Sequence, residues 1–355
     1  MNKKLVGLGL AAVAAVSLVA CGNRASKSSS SEASSSADTS VKAAIVTDIG
    51  GVDDRSFNQS AWEGLQEWGN SAGLSKGNGY DYFQSASESD YITNLDSAVA
   101  GGYNLVFGIG FALESAIAEV APNNPNTHYV IVDSVVPDQD NVVSVGFADH
   151  EASYLAGVAA AKSTKTNHVG FIGGMEGVII DRFEAGFVAG AKSVNKDIKI
   201  TVDYAGSFGD AAKGQTLAAA QYAAGADVIF HASGGTGNGV FAAAKAENET
   251  RNEADKVWVI GVDRDQSAEG TYTSKDGKSS NFVLASTLKQ VGTSVKDIAT
   301  KAATGDFPGG KVLQFSLKDK GVELAETNLS EDASKAVADA KQAILDGKVE
   351  VPEKP

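Results

Sequence analysis

From Val41 onward, short runs of apolar and β-branched residues alternate with segments of helical spacing, and the alternation runs through two successive series. In the first, strands at 43–47, 80–84, 105–109 and 129–132 are separated by helices at 54–72, 91–100 and 113–120. In the second, helix 152–162 precedes strand 169–172, helix 182–193 precedes strand 198–204, helix 211–224 precedes strand 228–231 and helix 240–247 precedes strand 257–262. Strands that are apolar throughout, separated by amphipathic helices, predict parallel sheets covered on both faces. Two such series in a chain of 355 residues predict two α/β lobes. The remainder adds strand 282–285, helix 291–303, strand 312–317 and a last helix. That helix starts at Ser330, an N-cap residue with Glu331 and Asp332 in its first turn, and stops at Gly347.

The first forty residues read differently. Lys3 and Lys4 precede an apolar and small run at 5–20, too short to span a bilayer and flanked as a secretory signal is. It ends Leu18-Val19-Ala20-Cys21, which resembles the bacterial lipobox, in which the cysteine is diacylated and becomes the mature N-terminus. Residues 23–40 hold nine serines and no large apolar side chain, so they bury too little to fold and read as a tether. The expected segments are a signal peptide at 1–20, a lipidated Cys21 with its tether at 21–40, and a body anchored on the extracytoplasmic face of the cell membrane.

Charge and cysteine content narrow the chemistry. The net charge of −14 carries no basic stripe, which argues against nucleic-acid partners. With Cys21 as the single cysteine, an internal disulfide or a multi-cysteine metal site is ruled out. The four histidines (His128, His150, His168 and His231) lack a metal-ligand spacing, and no metal or cofactor is expected. The run Gly237-Asn238-Gly239-Val240-Phe241-Ala242 fits G-x-G-x-x-A, but it falls late in the second series, where a tight turn or a backbone approach to a ligand explains it better.

Ligands of open parallel sheets sit beyond the carboxyl ends of the strands. There the sequence places three aspartates, Asp48, Asp133 and Asp263. A single strand-end Asp is commonly a turn former; three in like positions suit a ligand rich in hydroxyls, such as a sugar or ribose. Phe57 and Phe208 sit in polar loops at strand ends of the two series, as rings placed to sandwich a planar ligand would. Each alone is equally well read as a buried plug or a staple.

The lipobox, the serine-rich tether, the run D-x-G-G-x-D-D-x-S-F-N at 48–58, Asp133, Gly173-Gly174-Met175-Glu176, Gly206-Ser207-Phe208, Ala232-Ser233-Gly234-Gly235 and Gly261-Val262-Asp263 together resemble the basic-membrane-protein family of nucleoside-binding lipoproteins. The resemblance covers residues 41 to about 347. It implies a type I periplasmic-binding-protein fold: two Rossmann-like lobes, 41–148 with 285–310 and 149–284 with 311–355, joined by a three-strand hinge. It also implies a non-enzymatic role, feeding purine nucleosides (adenosine, guanosine and inosine) to an ABC permease and its ATPase, with a monomer as the default. Carried over by position, Phe57 and Phe208 stack on the base, and Asp48 and Asn58 bond its edge. Asp263 accepts from the ribose with Lys289 beside it, and Asp133 with the Gly234 and Gly235 backbone completes the pocket. The rival expectations are the same fold holding a sugar or a flavin-like vitamin, an extracytoplasmic nucleoside-acting enzyme, and a surface adhesin or receptor.

Overall fold

The computed structural model describes residues 41–355; the signal segment, Cys21 and the tether expected at 1–40 lie outside the described residues. The first series folds as β1 (Ala43–Thr47), α1 (Phe57–Ser71), β2 (Tyr80–Phe83), α2 (Tyr91–Ala100), β3 (Leu105–Ile109), α3 (Glu114–Val120), β4 (His128–Val132) and β5 (Val142–Phe147). The second comprises α4 (Asp149–Ser163), β6 (His168–Gly173), α5 (Val178–Val194), β7 (Lys199–Tyr204), α6 (Ala211–Ala223), β8 (Val228–Ala232), α7 (Gly237–Glu249) and β9 (Trp258–Gly261). The hairpin β10 (Thr271–Thr273) and β11 (Ser279–Asn281) leads into β12 (Val283–Lys289), and α8 (Val291–Ala303), β13 (Val312–Phe315), β14 (Val322–Glu326) and α9 (Glu331–Leu345) follow.

The strands form two six-stranded sheets, ordered β13-β5-β4-β3-β1-β2 and β14-β12-β9-β8-β6-β7. All neighbours in the first are parallel, and in the second only the β12–β14 pair is antiparallel. The two orders match position for position, so each lobe reverses strand order once, between β1 and β3 and between β6 and β8. The burial pattern explains the continuous apolar runs. Ala43 and Ile45 of β1 face the core under α1 and α8, while Ala44 and Val46 face the one under α2 and α3. In β8, Phe230 and Ile229 divide between two cores in the same way.

The chain passes between the sheets three times: at Ala148, at Gln290 and within 316–321. β12 therefore stays in the second sheet through Lys289 and β13 returns to the first, so the second and third crossings lie several residues beyond those expected at 285 and 310. β5, β14 and the β10–β11 hairpin have no counterpart among the strands expected from sequence. β14 is an outer strand with only Val322 fully buried, so its pattern lacks the apolar continuity of the inner strands. Helix α1 begins at Phe57 rather than 54, because Asp54 accepts the Ser56, Asn58 and Gln59 N–H groups at 2.8, 2.9 and 3.0 Å and caps the helix start. Among the described residues no helix is long and apolar enough to cross a membrane.

Candidate functional site

The carboxyl ends of β1, β3, β4, β8 and β9 converge on a cavity of about 510 Å³, counted with its opening. Of the residues expected from sequence, Asp48, Phe57, Asn58, Asp133, Phe208, Gly234, Asp263 and Lys289 line it. Gly235 does not; a Cβ added there would meet the Phe208 carbonyl, Asp54 and the Gly50 carbonyl instead.

At one end, Asp48 accepts the Gly50 N–H and the Asn58 side-chain N–H, each at 2.8 Å. The same Asn58 amide nitrogen donates to Asp54 at 2.9 Å. With both carboxylates on its nitrogen, Asn58 turns its Oδ1 away from them, and that oxygen is buried without a partner. Burial pushes Asp48 up to about 6 against the pull of these donors, and it raises Asp54 as well. This end therefore offers acceptors and a carboxyl that titrates near neutrality.

At the other end, the buried Lys289 ammonium donates to Asp133 Oδ2 at 2.6 Å and lies 3.2 Å from Asp149. The Phe57, Phe147 and Phe183 rings surround it at 5.2, 5.2 and 5.6 Å. Burial opposes its charge, but Asp133, Asp149 and Asp263 together hold its pKa above the ordinary lysine range. Burial also pushes Asp263 and Asp149 up to about 7. Asp133 keeps Oδ1 buried and unpartnered. Asp133 and Asp263 follow the equivalent strands β4 and β9 and share a left-handed backbone, with φ of 67° and 66°. The same turn is thus used once in each lobe to swing a carboxylate across the strand end.

Between the ends lie the rings. Phe57 opens α1, so its ring enters the cavity where the helix begins. Phe208 packs its ring against Gly174, where an added Cβ would come within 2.2 Å of the ring. Its loop is pinned by Thr236, whose N–H donates to the Phe208 carbonyl at 3.0 Å and whose hydroxyl donates to the Ser207 carbonyl at 2.9 Å. Phe111, absent from the expectations, meets Phe208 edge to face at 6.0 Å. Ile179, Ile180 and Phe183 of α5 complete the apolar wall. Their apolar spacing reads as ordinary helix core, so the sequence holds no signal to single them out.

One side of the cavity is bridged by polar contacts from the 54–56 segment of the first lobe. Ser56 donates to Asp263, and Arg55 pairs with Glu269. Asn238 donates to the Asp54 carbonyl at 3.3 Å, and Gln266 to the Arg55 carbonyl at 3.0 Å. His231, fully buried and lowered to about 4 by that burial, stands neutral 3.0 Å from Gln266 Oε1. Because Gln266 Oε1 also accepts the Val262 N–H, it is an acceptor, and the imidazole donates from Nε2. His231 therefore orients the Gln266 bridge. Among the described residues no cluster of His, Cys, Asp and Glu could hold a metal ion.

A family model described as "ABC transporter substrate-binding protein PnrA-like" matches residues 41–355. The chain is 58% identical over the full length of both chains to the "ABC transporter nucleoside-binding protein BmpA" of Lactococcus lactis subsp. cremoris. It is 52% identical, again over the whole of both chains, to the "CD4+ T-cell-stimulating antigen" of Listeria monocytogenes. Among solved structures, an ABC transporter solute-binding protein from Aeropyrum pernix aligns with a TM-score of 0.77 at 23% identity, covering 88% of this chain and 94% of the other.

Proposed function

The chain belongs to the PnrA-like family of ABC transporter substrate-binding proteins, and from that premise we propose that it binds purine nucleosides between its lobes and delivers them to a permease. The observation that carries the reading is the division of one cavity. Ring faces from both lobes stand between an acceptor-rich end at Asp48 and Asn58 and an ion-paired end at Asp263, Lys289 and Asp133. A purine nucleoside has the same three parts: two π faces, a hydrogen-bonding edge and a diol. Stacking contributes about 1–3 kcal/mol per base in other base-binding proteins. The ionised Asp263 accepts ribose hydroxyls, with Lys289 fixing the second end of the sugar.

The base-edge acceptors favour an edge that donates. Ionised Asp48 accepts N1–H of guanosine or inosine, and the free Asn58 Oδ1 takes a second donor. The N1 of adenosine is an acceptor and needs Asp48 protonated. No cation at this end is available to a phosphate, and the ion-paired end is rich in carboxylate, so nucleosides are preferred to nucleotides. The family's role, substrate binding for an ABC transporter, is a non-enzymatic one, so the protein binds without turning its ligand over. Lipidation at Cys21 then holds it at the extracytoplasmic membrane surface beside the permease, whose ATPase partner drives uptake. Calorimetry with purine nucleosides on the wild type and on Asp263→Ala and Phe57→Ala tests the reading. Each variant loses roughly tenfold or more in affinity, as a hydrogen bond to charge or a stacked face requires; unchanged affinity in both removes the assignment.

A further inference from the structure

A second, larger cavity of about 980 Å³, counted with its opening, lies beside the first and shares Phe111, Asp133 and Ile179 with it. Its other walls bring together three large apolar side chains that are unusually exposed and come from separate elements: Val178 at 63%, Val312 at 56% and Val135 at 47%. These three side chains converge on one cavity and give it an apolar wall that water alone covers poorly. Among its described lining residues, the cation Arg182 is paired with Glu353 and the carboxylate of Glu114 accepts from Ser134. An anion entering it meets carboxylates and no unpaired cation.

We propose that this cavity is a subsite for an apolar substituent on C5′ of the bound nucleoside, so that the ligand class includes 5′-thioether purine nucleosides. The inference rests on the orientation given under Proposed function. With the base at Asp48 and the diol at Asp263, C5′ is the sugar carbon left to point at Asp133, the carboxylate common to both cavities. A 5′-hydroxyl ends there as a donor to the free Asp133 Oδ1. A 5′-alkylthio group gives up that one bond and passes on between Phe111 and Ile179 to cover Val135, Val178 and Val312. Each buried methylene is worth roughly a three- to fourfold gain in affinity, so lengthening the chain recovers what the lost hydroxyl gave.

The test is calorimetry on the full-length protein in detergent, with guanosine, adenosine, 5′-deoxy-5′-(methylthio)adenosine, its butylthio homologue and adenosine 5′-monophosphate. The subsite predicts that the butylthio compound binds roughly tenfold or more tighter than the methylthio compound, and that the monophosphate binds least. Val178→Asp, at a residue outside the nucleoside cavity, weakens the butylthio compound at least tenfold and leaves adenosine unchanged; Val312→Asp provides a second, independent variant. If adenosine binds while lengthening the thioether abolishes binding, the subsite is overturned and the nucleoside reading stands. The subsite is likewise overturned if the valine variants leave all affinities intact but abolish uptake by cells, which would assign this face to the permease. Silence from guanosine as well as from adenosine and the thioethers overturns both readings.

Discussion

The three strand-end aspartates are chemically alike and differ in what surrounds them. Asp48 is held by a backbone N–H and an amide, Asp133 by the Lys289 ammonium, and Asp263 by the Ser56 hydroxyl. The position of Asp48, pushed up to about 6 by burial, predicts a pH-dependent choice of base. As pH rises from 5 to 7.5 the carboxylate fraction grows, so the ratio of guanosine to adenosine affinity increases; a ratio independent of pH in calorimetry contradicts this. Asp48→Asn, which donates where the carboxylate accepted, reverses the preference, costing guanosine roughly tenfold or more and sparing adenosine. Asp48 and Phe57 were legible in the sequence because they stand in one polar run directly after a strand, whereas Asn58 came only through the family resemblance. Asp149 was not legible. It enters the site only because the first crossing folds the start of α4 under Lys289, a contact separated by 140 residues, and the capping role of Asp54 is likewise a matter of local geometry.

At the scale of elements, close packing fixes where the residues stand. Helices α4 and α5 approach backbone to backbone, and a Cβ added at Gly190 would lie 2.0 Å from the Tyr154 carbonyl oxygen. Gly190→Val is expected to cost about 1–3 kcal/mol, visible as a lowered urea midpoint with nucleoside affinity unchanged in the folded protein; an unaltered midpoint refutes the packing argument. The 54–56 segment works in the opposite sense, since its contacts cross the cleft. Removing the Gln266 bridge by Gln266→Leu costs about 1 kcal/mol or more, read as faster nucleoside dissociation in stopped-flow with little change in association. An unaltered dissociation rate would remove the bridge from closure. The inner strands and their helices were readable from periodicity because burial on both faces leaves no polar interruption. β5 is interrupted by Ser144 and Gly146, and the hairpin before β12 is two three-residue strands of mostly polar residues, so neither shows a continuous apolar run; β14 is an edge strand with polar residues on its open side.

For the whole molecule, two lobes of matching strand order meet over a buried group of charges, and that group links stability, proton binding and ligand. Burial pushes Asp48 up to about 6 and Asp149 and Asp263 up to about 7, above the roughly 4 of an unfolded carboxyl. Such groups bind more protons folded than unfolded. Their contribution to stability is therefore present below about pH 4 and is lost as pH rises through 6 and 7. The ligand-free protein is expected to melt at a lower temperature at pH 8 than at pH 5.5, whereas the rise in melting temperature on adding guanosine grows over the same range; a flat or opposite trend contradicts the linkage. The fold followed from the alternation of strands and helices. The sheet membership of β12 and β13 did not, because a strand's own sequence carries no record of which lobe it joins. The measurement that bears most directly on the central claim is calorimetry of the full-length protein, stripped of carried-over ligand, with guanosine, inosine, adenosine, cytidine, uridine and ribose in turn. The predicted result is tight binding of the purine nucleosides, with little response to ribose, and its loss in Asp263→Ala. Silence from every purine nucleoside, or competition by ribose alone, would contradict it.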